Sequence, residues 1–324
     1  MGVAEIREAV RAGGLLGDRR AVVAMLSGGR DSVCLLDVAV ALRGARDVSA
    51  LHVNYGLRDS AAADERHCAQ LCESLGVALS VHRASQAAPG NLQAWARELR
   101  YDAARQLADP NDASIATGHT ASDQVETILY RLAASPGRRA LLGMSAADGR
   151  LVRPLLGVTR EQTAAYCAER GLRWREDSSN EDERFARVRV RHGLVAALRA
   201  VHPAAESNVL RTARLLREES ELLAALVDAE LGERRQISIA RLSELAPALA
   251  RLVVVRLAED AAQTYVPQAG ERVPELLALA VRSDHAELHL GGFAAAVIDD
   301  GVLSMRRLAP SETSERRRTP PGGD

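Results

Sequence analysis

The chain has 324 residues, of which 47% are hydrophobic and 26% charged, and its formal net charge is -1. That length suggests two domains, the apolar content excludes general disorder, and the balanced charge neither demands nor forbids a polyanionic partner. All 42 basic side chains are arginine, which excludes a Schiff-base lysine and a Walker-type phosphate loop ending in Gly-Lys-Ser/Thr.

No apolar run reaches the roughly 18 residues of a membrane helix. The start, MGVAEIREAV, has no secretory pattern, and four cysteines (Cys34, Cys68, Cys72, Cys167) make no disulfide framework. The expectation is a cytoplasmic protein with no membrane partner. Two Phe, two Trp and five Tyr are too few for a run of base-stacking platforms, so charge and aromatics together point away from nucleic acid.

In chain order, Ala21 to Leu26 reads as a short buried strand and Val33 to Arg43 as a helix. Strands follow at Val48 to Val53, Val77 to His82 and Ser114 to Thr117, separated by helices at Ser60 to Leu75 and Asn91 to Leu107. A helix from Ser122 to Ala133 completes the alternation. Such βα repeats predict an α/β fold, a parallel-sheet, Rossmann-like nucleotide-binding domain, with ligands beyond the carboxyl ends of the strands.

Leu151 to Leu156 reads as a further strand, and Thr159 with Gln162 as a capping box opening a helix that Gly171 could close. An acidic segment, Glu176 to Glu183, precedes an arginine-rich one, Arg184 to Arg191. Pro203 opens a long helix to about Leu231. The predicted division is a catalytic domain over 1–202, a linker helix over 203–232 and a smaller α+β domain over 233–308. That last domain has helices at Leu242 to Asp260 and Val273 to Val281, then strands at Glu287 to Leu290, Ala294 to Ile298 and Val302 to Met305. Gly291-Gly292 and Asp300-Gly301 punctuate its hairpins, and 309–324 reads as a disordered tail.

The strongest chemical signal is Ser27-Gly28-Gly29-Arg30-Asp31-Ser32 at a strand-to-helix turn. Glycines let backbone amides approach a phosphate, and the helix start adds donors. Asp31 suits such a loop when a cation lies between it and the phosphates, which implies Mg²⁺. Against this stands a plain turn with Asp31 or Ser32 as a cap; the full hexapeptide favours a nucleotide. The stretch from Leu51 to Arg58, with His52 and Asn54, ends the next strand, where it could wall an adenosine; a lone His52 is more often a satisfied core histidine.

Gly118-His119-Thr120-Ala121-Ser122-Asp123-Gln124-Val125-Glu126-Thr127 lies at another such turn, with His119 and Asp123 four apart. The alternative there is a cap at Thr120 or Ser122, with Asp123 and Glu126 suiting the helix dipole. Arg97 and Arg100 lie one helix earlier. Arg187 and Arg191 share a helical face suited to clamping phosphates, with Val190, Leu194 and Leu198 packing elsewhere; pairing with the acidic segment just upstream is the other reading.

These motifs, with Arg153-Pro154-Leu155-Leu156 and Glu176-Asp177-Ser178-Ser179-Asn180, resemble the tRNA(Ile)-lysidine synthetase family of PP-loop ATP pyrophosphatases over about residues 20 to 232. The likeness extends more weakly over 237 to 308. Tyr55, Ser122 and Val188 depart from the family pattern of histidine, aspartate and asparagine. The resemblance implies that ATP adenylates the wobble cytidine of a tRNA(Ile) with a CAU anticodon, and that free lysine then displaces AMP. It implies Ser27, Gly28, Gly29, Arg30, Ser32 and Gly118 around the phosphates, Asp31 on Mg²⁺, and His52 and Asn54 beside the adenosine. Asp31, His119, Asp123 and Arg187 are the implied catalytic set, with Arg97, Arg100, Arg187 and Arg191 toward tRNA. A homodimer is allowed.

Two rivals remain at this stage. A PP-loop tRNA thiolase would need reactive cysteines, commonly a C-x-x-C pair. Cys68 and Cys72 are instead four apart in a predicted helix. A non-catalytic nucleotide-binding protein would leave the His119/Asp123 turn and the arginine segment without a task.

Overall fold

The computed structural model describes residues 1–17, 20–57, 61–84, 91–135, 137–176, 186–233 and 235–309. Arg58, the segment Asp177 to Asn180 and the tail beyond residue 309 therefore lie outside the described residues. The contacts divide the chain into two units, Met1–Leu216 and Arg217–Asp324.

A short apolar run such as Val22-Val23-Ala24-Met25 is stable as a strand covered on both faces, and all four residues are buried. In the first unit α1 (Val3–Ala12) precedes β1 (Val22–Met25), α2 (Arg30–Arg43), β2 (Val48–Asn54), α3 (Ala61–Leu75) and β3 (Ala78–Arg83). Then come α4 (Leu92–Ala108), β4 (Ser114–Ala116), α5 (Ala121–Ala134), α6 (Arg138–Leu141), β5 (Ala147–Asp148), β6 (Leu151–Val152) and α7 (Arg160–Glu169). The sheet order is β3-β2-β1-β4-β6-β5. Every pair is parallel except β5 with β6, and Val22 aligns with Val48 on one side and Ser114 on the other. The α/β, largely parallel fold is as expected. Strand order reverses between β1 and β4, so the turns that follow these two strands face the same crevice.

Side chains alternate across β1. Val22 and Ala24 join the layer of Ile6, Leu35, Leu36 and Tyr166, while Val23 and Met25 pack with Leu51, Ala104 and Ile115. Helix α1 was not anticipated; Ile6 and Val10, one turn apart, are its buried stripe. The strand expected over Leu151 to Leu156 stops at Val152. Pro154 has no N–H for a ladder, and the chain turns, with Leu156 N–H donating to the Arg153 carbonyl at 3.2 Å.

After α7 come α8 (Ala186–Arg189), a π turn over Val190–Val195 and α9 (Ala196–Val201). The wide turn adds a residue, so the packed stripe slips by one. Val188, Val190 and Val195 are buried, whereas Leu194, expected to pack, is 46% exposed. Helix α10 (Ala205–Leu231) contains the division between the units.

The second unit holds β7 (Gln236–Ser238), α11 (Ile239–Glu244), α12 (Pro247–Ala262), α13 (Val273–Arg282), β8 (His285–Gly291), β9 (Ala294–Asp299) and β10 (Val302–Arg307). Its antiparallel sheet runs β7-β10-β9-β8 over a core that includes Val253, Leu257, Leu276 and Leu303. The helix expected over Leu242 to Asp260 is two, because Pro247 favours an extended residue before it, and Ala246 has ψ 137°. No helix among the described residues is long and apolar enough to cross a membrane.

Candidate active site

The turn after β1 is shaped by glycine and closed by its own serines. Gly28 has φ +85°, and a Cβ there would lie 3.3 Å from Cys68 Sγ. Ser27 N–H donates to Ser32 Oγ at 3.2 Å, and the Ser32 hydroxyl donates to the Gly29 carbonyl at 2.8 Å. Gly29 N–H donates to Ser27 Oγ at 3.3 Å. Gly29 caps α2, so the helix starts at Arg30, three residues earlier than expected, and carries Asp31 and Ser32 in its first turn. Amides at such a start have no carbonyl one turn back and remain donors for an anion.

Asp31 points two ways. Its Oδ1 accepts from the Thr163 hydroxyl and from Arg30 Nε at 3.3 Å, while Oδ2 is 3.9 Å from Arg160 Nε. An oxygen without a hydrogen-bond donor among the described residues, beside a cradle of glycine amides, fits a divalent cation held against phosphates.

The turn after β4 presses on this loop. A Cβ on Gly118 would come within 3.0 Å of the Asp31 carbonyl group and the Ser32 amide nitrogen, all backbone. Glycine is therefore required by close approach, and it brings His119 and Asp123 beside the phosphate turn. His119 Nδ1 is 2.8 Å from Thr117 Oγ1. Burial first, then Arg187, Arg153 and Arg100, outweigh the Asp123 carboxylate and lower its pKa to about 4. His119 is a neutral imidazole at pH 7.

Thr120 caps α5, and Asp123 closes a capping box by accepting from Thr120 N–H at 2.7 Å. The cap is real, and so is a second role for the same carboxylate. Asp123 Oδ1 accepts from Arg160 Nη2 at 2.8 Å and from Arg187. One turn on, Glu126 accepts from Arg160 at 3.0 Å, from Arg187 at 2.7 Å and from Arg191 at 2.7 Å. Asp123 and Glu126 are 5% and 3% exposed. Burial alone would raise both pKa values; Arg187 and Arg160 at Asp123, and Arg191, Arg187 and Arg160 at Glu126, hold them below the ordinary carboxylate range. Arg187 and Arg191 do share a face, and among the described residues it is turned to these two acids.

Other expected residues fall differently. His52 is 4% exposed beneath the turn, its Nδ1–H donating to the Leu26 carbonyl at 2.9 Å, as a satisfied core histidine does. Asn54 spends its amide on Glu65 at 2.9 Å and its carbonyl on Gly56 N–H at 2.9 Å. Arg97 and Arg100 lie over the Tyr101 ring at 4.8 and 5.5 Å. Arg100 Nε, the Tyr101 hydroxyl and Arg153 Nε are buried with no hydrogen-bond partner among the described residues. Sequence reasoning missed Arg160 and Thr163, whose signal was their place in the first turn of the capped helix α7, and gave Glu126 no more than a dipole role.

The PP-loop domain family matches residues 4–198. A tRNA(Ile)-lysidine synthase from Rhodococcus erythropolis (strain PR4 / NBRC 100887) is 38% identical over 238 residues, 70% of this chain and 72% of that protein. The chain belongs to the PP-loop family of tRNA(Ile)-lysidine synthases. A tRNA(Ile)-lysidine synthase from Pseudomonas fluorescens (strain Pf0-1) is 39% identical over 214 residues, covering 64% of this chain and 48% of the relative. The chain spans about half the length of several such relatives. Among solved structures, a U34-tRNA thiolase from Methanococcus maripaludis shares the fold, with a TM-score of 0.55 and 16% identity over 66% of this chain and 78% of that one.

Within this PP-loop protein the three departures have definite surroundings. The Tyr55 hydroxyl donates to the Ala96 carbonyl at 3.1 Å, and its ring meets Trp95 edge-on at 6.0 Å. Ser122 Oγ accepts from Arg160 N–H at 3.2 Å, joining α5 to α7. Val188 is buried, so an apolar side chain fills the position that the family pattern gives to asparagine.

Proposed function

We propose that the protein ligates lysine to C2 of the wobble cytidine of a tRNA(Ile) carrying a CAU anticodon, at the expense of ATP. The supporting observation is the backbone contact at Gly118, which sets the phosphate turn against the turn bearing His119, Asp123 and Glu126. An anion cradle and a pair of ionised acids thus share one crevice, as a reaction joining a nucleotide to an amine requires.

Cytidine O2 attacks the α-phosphorus, and the bond to pyrophosphate breaks. The lysine ε-amine then attacks C2, the C–O bond breaks, AMP leaves and the amine sheds its proton. Ser27, Gly28, Gly29, Arg30, Ser32 and Gly118 would bound the phosphates, and Asp31 would hold Mg²⁺. When bound, Mg²⁺ neutralises phosphate charge and makes pyrophosphate a better leaving group. Asp123 and Glu126, kept ionised by arginine, orient the ammonium rather than deprotonate it. Neutral His119, hydrogen-bonded to Thr117 through Nδ1, would serve the substrates as a hydrogen-bonding group, because a pKa of about 4 makes it a weak base at pH 7. The unpartnered Arg100 Nε, Tyr101 hydroxyl and Arg153 Nε offer donors to the cytidine or to AMP.

Thiolation is less well supported. Cys34, Cys68, Cys72 and Cys167 are all buried, and burial pushes Cys68 to about 12 and Cys72 to about 11, far from a reactive thiolate. Four free cysteines also suit a reducing cytoplasm. The test is ATP-dependent transfer of labelled lysine to a tRNA with a CAU anticodon, with a UAU anticodon as control. Transfer confined to the first supports the reading; none to either overturns it.

A further inference from the structure

Thr163 is fully buried on α7, and its hydroxyl donates to Asp31 Oδ1 across 132 residues of sequence. The same hydroxyl lies 2.9 Å from the Arg160 carbonyl oxygen in its own helix. A hydroxyl carries one proton, and an ionised carboxylate takes it in preference to a helix carbonyl. With Arg30 also on Oδ1, both hydrogen bonds fall on that oxygen, while Oδ2 accepts none among the described residues and lies 3.9 Å from Arg160 Nε. Helix α7 does not need this bond to dock on α2, because the Tyr166 hydroxyl and Arg170 both bind Asp37 further along.

We infer that Thr163 is a positioning residue. Its hydroxyl fixes the Asp31 carboxylate so that Oδ2 is left for the divalent cation that accompanies the nucleotide phosphates. This rests on the reading of Asp31 as a cation ligand. It adds that the helix carrying Arg160, which binds Asp123 and Glu126, also sets the cation side of the site.

The test is Mn²⁺ binding to the full chain in the presence of ATP, followed by electron paramagnetic resonance, for wild type, Thr163→Val, Thr163→Ala, Thr163→Ser and Asp31→Asn. Loss of an outer-shell hydrogen bond typically weakens a metal site about 10–100-fold, so Thr163→Val should weaken Mn²⁺ by about tenfold or more, with Thr163→Ser within about threefold of wild type. If Thr163→Val does not fold, Thr163→Ala carries the same expectation. A hydroxyl-free variant that folds and binds Mn²⁺ as wild type does, while Asp31→Asn loses it, overturns the role of Thr163 alone. A Thr163→Ser protein weakened as much as Thr163→Val does so too. Unimpaired binding by Asp31→Asn removes the cation reading of Asp31, and this inference with it.

Discussion

Arg160 Nη2 lies 2.8 Å from Asp123 Oδ1 while its Nη1 lies 3.0 Å from Glu126 Oε1, so one guanidinium fork spans two acids a helical turn apart. Its Nε is 3.9 Å from Asp31 Oδ2. With Arg187 and Arg191 added, and Arg30 beside Asp31, four cations face three carboxylates, and the cluster already carries a formal charge of +1. A substrate ammonium would add a charge that the two buried acids have already compensated. Entry of an ammonium therefore favours departure of one arginine, and the arrival of tRNA phosphates supplies a destination for it. Arg187, with a side chain 52% exposed, is placed to leave; Arg160, at 20%, is not.

Arg187→Gln should accordingly weaken tRNA binding and flatten its salt dependence by about one unit of slope in log K against log salt. ATP binding should be unaffected. Filter binding over a salt series measures both, and an unchanged slope would return Arg187 to a purely structural pairing with Asp123 and Glu126.

Asp123→Ala combines two losses. It removes the ammonium ligand, with an expected fall in lysine transfer of about 10³-fold by analogy with loss of a preorganised electrostatic partner. It also removes an acceptor at the start of α5 and leaves Glu126 as the remaining buried counter-charge for Arg160 and Arg187, at a cost of about 2 kcal/mol. Asp123→Asn keeps a carbonyl acceptor for Thr120 N–H and should lose transfer with a smaller change in urea midpoint. Equal destabilisation by both variants would show that the cap bond contributes little.

The parts of this site written in local sequence were legible, and those written in tertiary contact were not. The glycine turn declared itself because Gly28 must hold φ +85° and Ser27 and Ser32 close on residues within five positions. The capping box at Thr120 is likewise local. Arg160 meets partners 34 and 37 residues away, and no spacing rule encodes that distance. His52 has the residue type of a ligand, yet the parallel pairing of β2 with β1 buries it against the Leu26 carbonyl. The edge strand Ala147–Asp148 is too short to show a period. Helix α1 hides its two-residue apolar stripe among charged neighbours.

Acid should weaken the fold through His119 before it protonates the carboxylates. Its folded pKa of about 4 lies below the unfolded value near 6.5, so the unfolded chain binds the extra proton between these limits. Stability should fall as pH drops from 6.5 to 4, by up to about 3 kcal/mol from this group, and level off below. Asp123 and Glu126, whose folded pKa values are depressed, contribute stability above their unfolded values near 4 and lose it at lower pH. Urea unfolding at pH 5 and 7 should therefore show a smaller difference in His119→Asn than in wild type. An equal difference would place the titration elsewhere.

Gly118→Ala should damage nucleotide binding without removing a polar group. The added methyl would sit 3.0 Å from the backbone of Asp31 and Ser32, neither of which can rotate away. The turn after β4 must then retreat from the phosphate loop, at about 1–3 kcal/mol. Isothermal titration with ATP should show weaker binding beside a lowered melting temperature. Unchanged ATP affinity would mean that the loop holds its shape without this neighbour.

Asp37→Ala distinguishes the brace from the chemistry. Asp37 is 2% exposed and accepts from Arg7 at 3.0 Å, Arg170 at 3.1 Å and Tyr166, tying α1 and α7 to α2. Burial opposes its charge, but Arg170, Tyr166 and Arg7 hold its pKa below the ordinary value. Arg7 and Arg170 are partly exposed and can turn to water, whereas the buried Tyr166 hydroxyl would lose its carboxylate acceptor. The expected cost is about 2–3 kcal/mol, with Tyr166→Phe costing about 1 kcal/mol because both arginines keep their acid. Because Thr163 and Arg160 contact Asp31 and Asp123 one turn earlier on α7, Mn²⁺ and ATP affinity should stay within about threefold of wild type below the melting temperature, a change well under 1 kcal/mol. A tenfold loss of either affinity in Asp37→Ala would mean that the lower half of α7 sets the site as much as its first turn does.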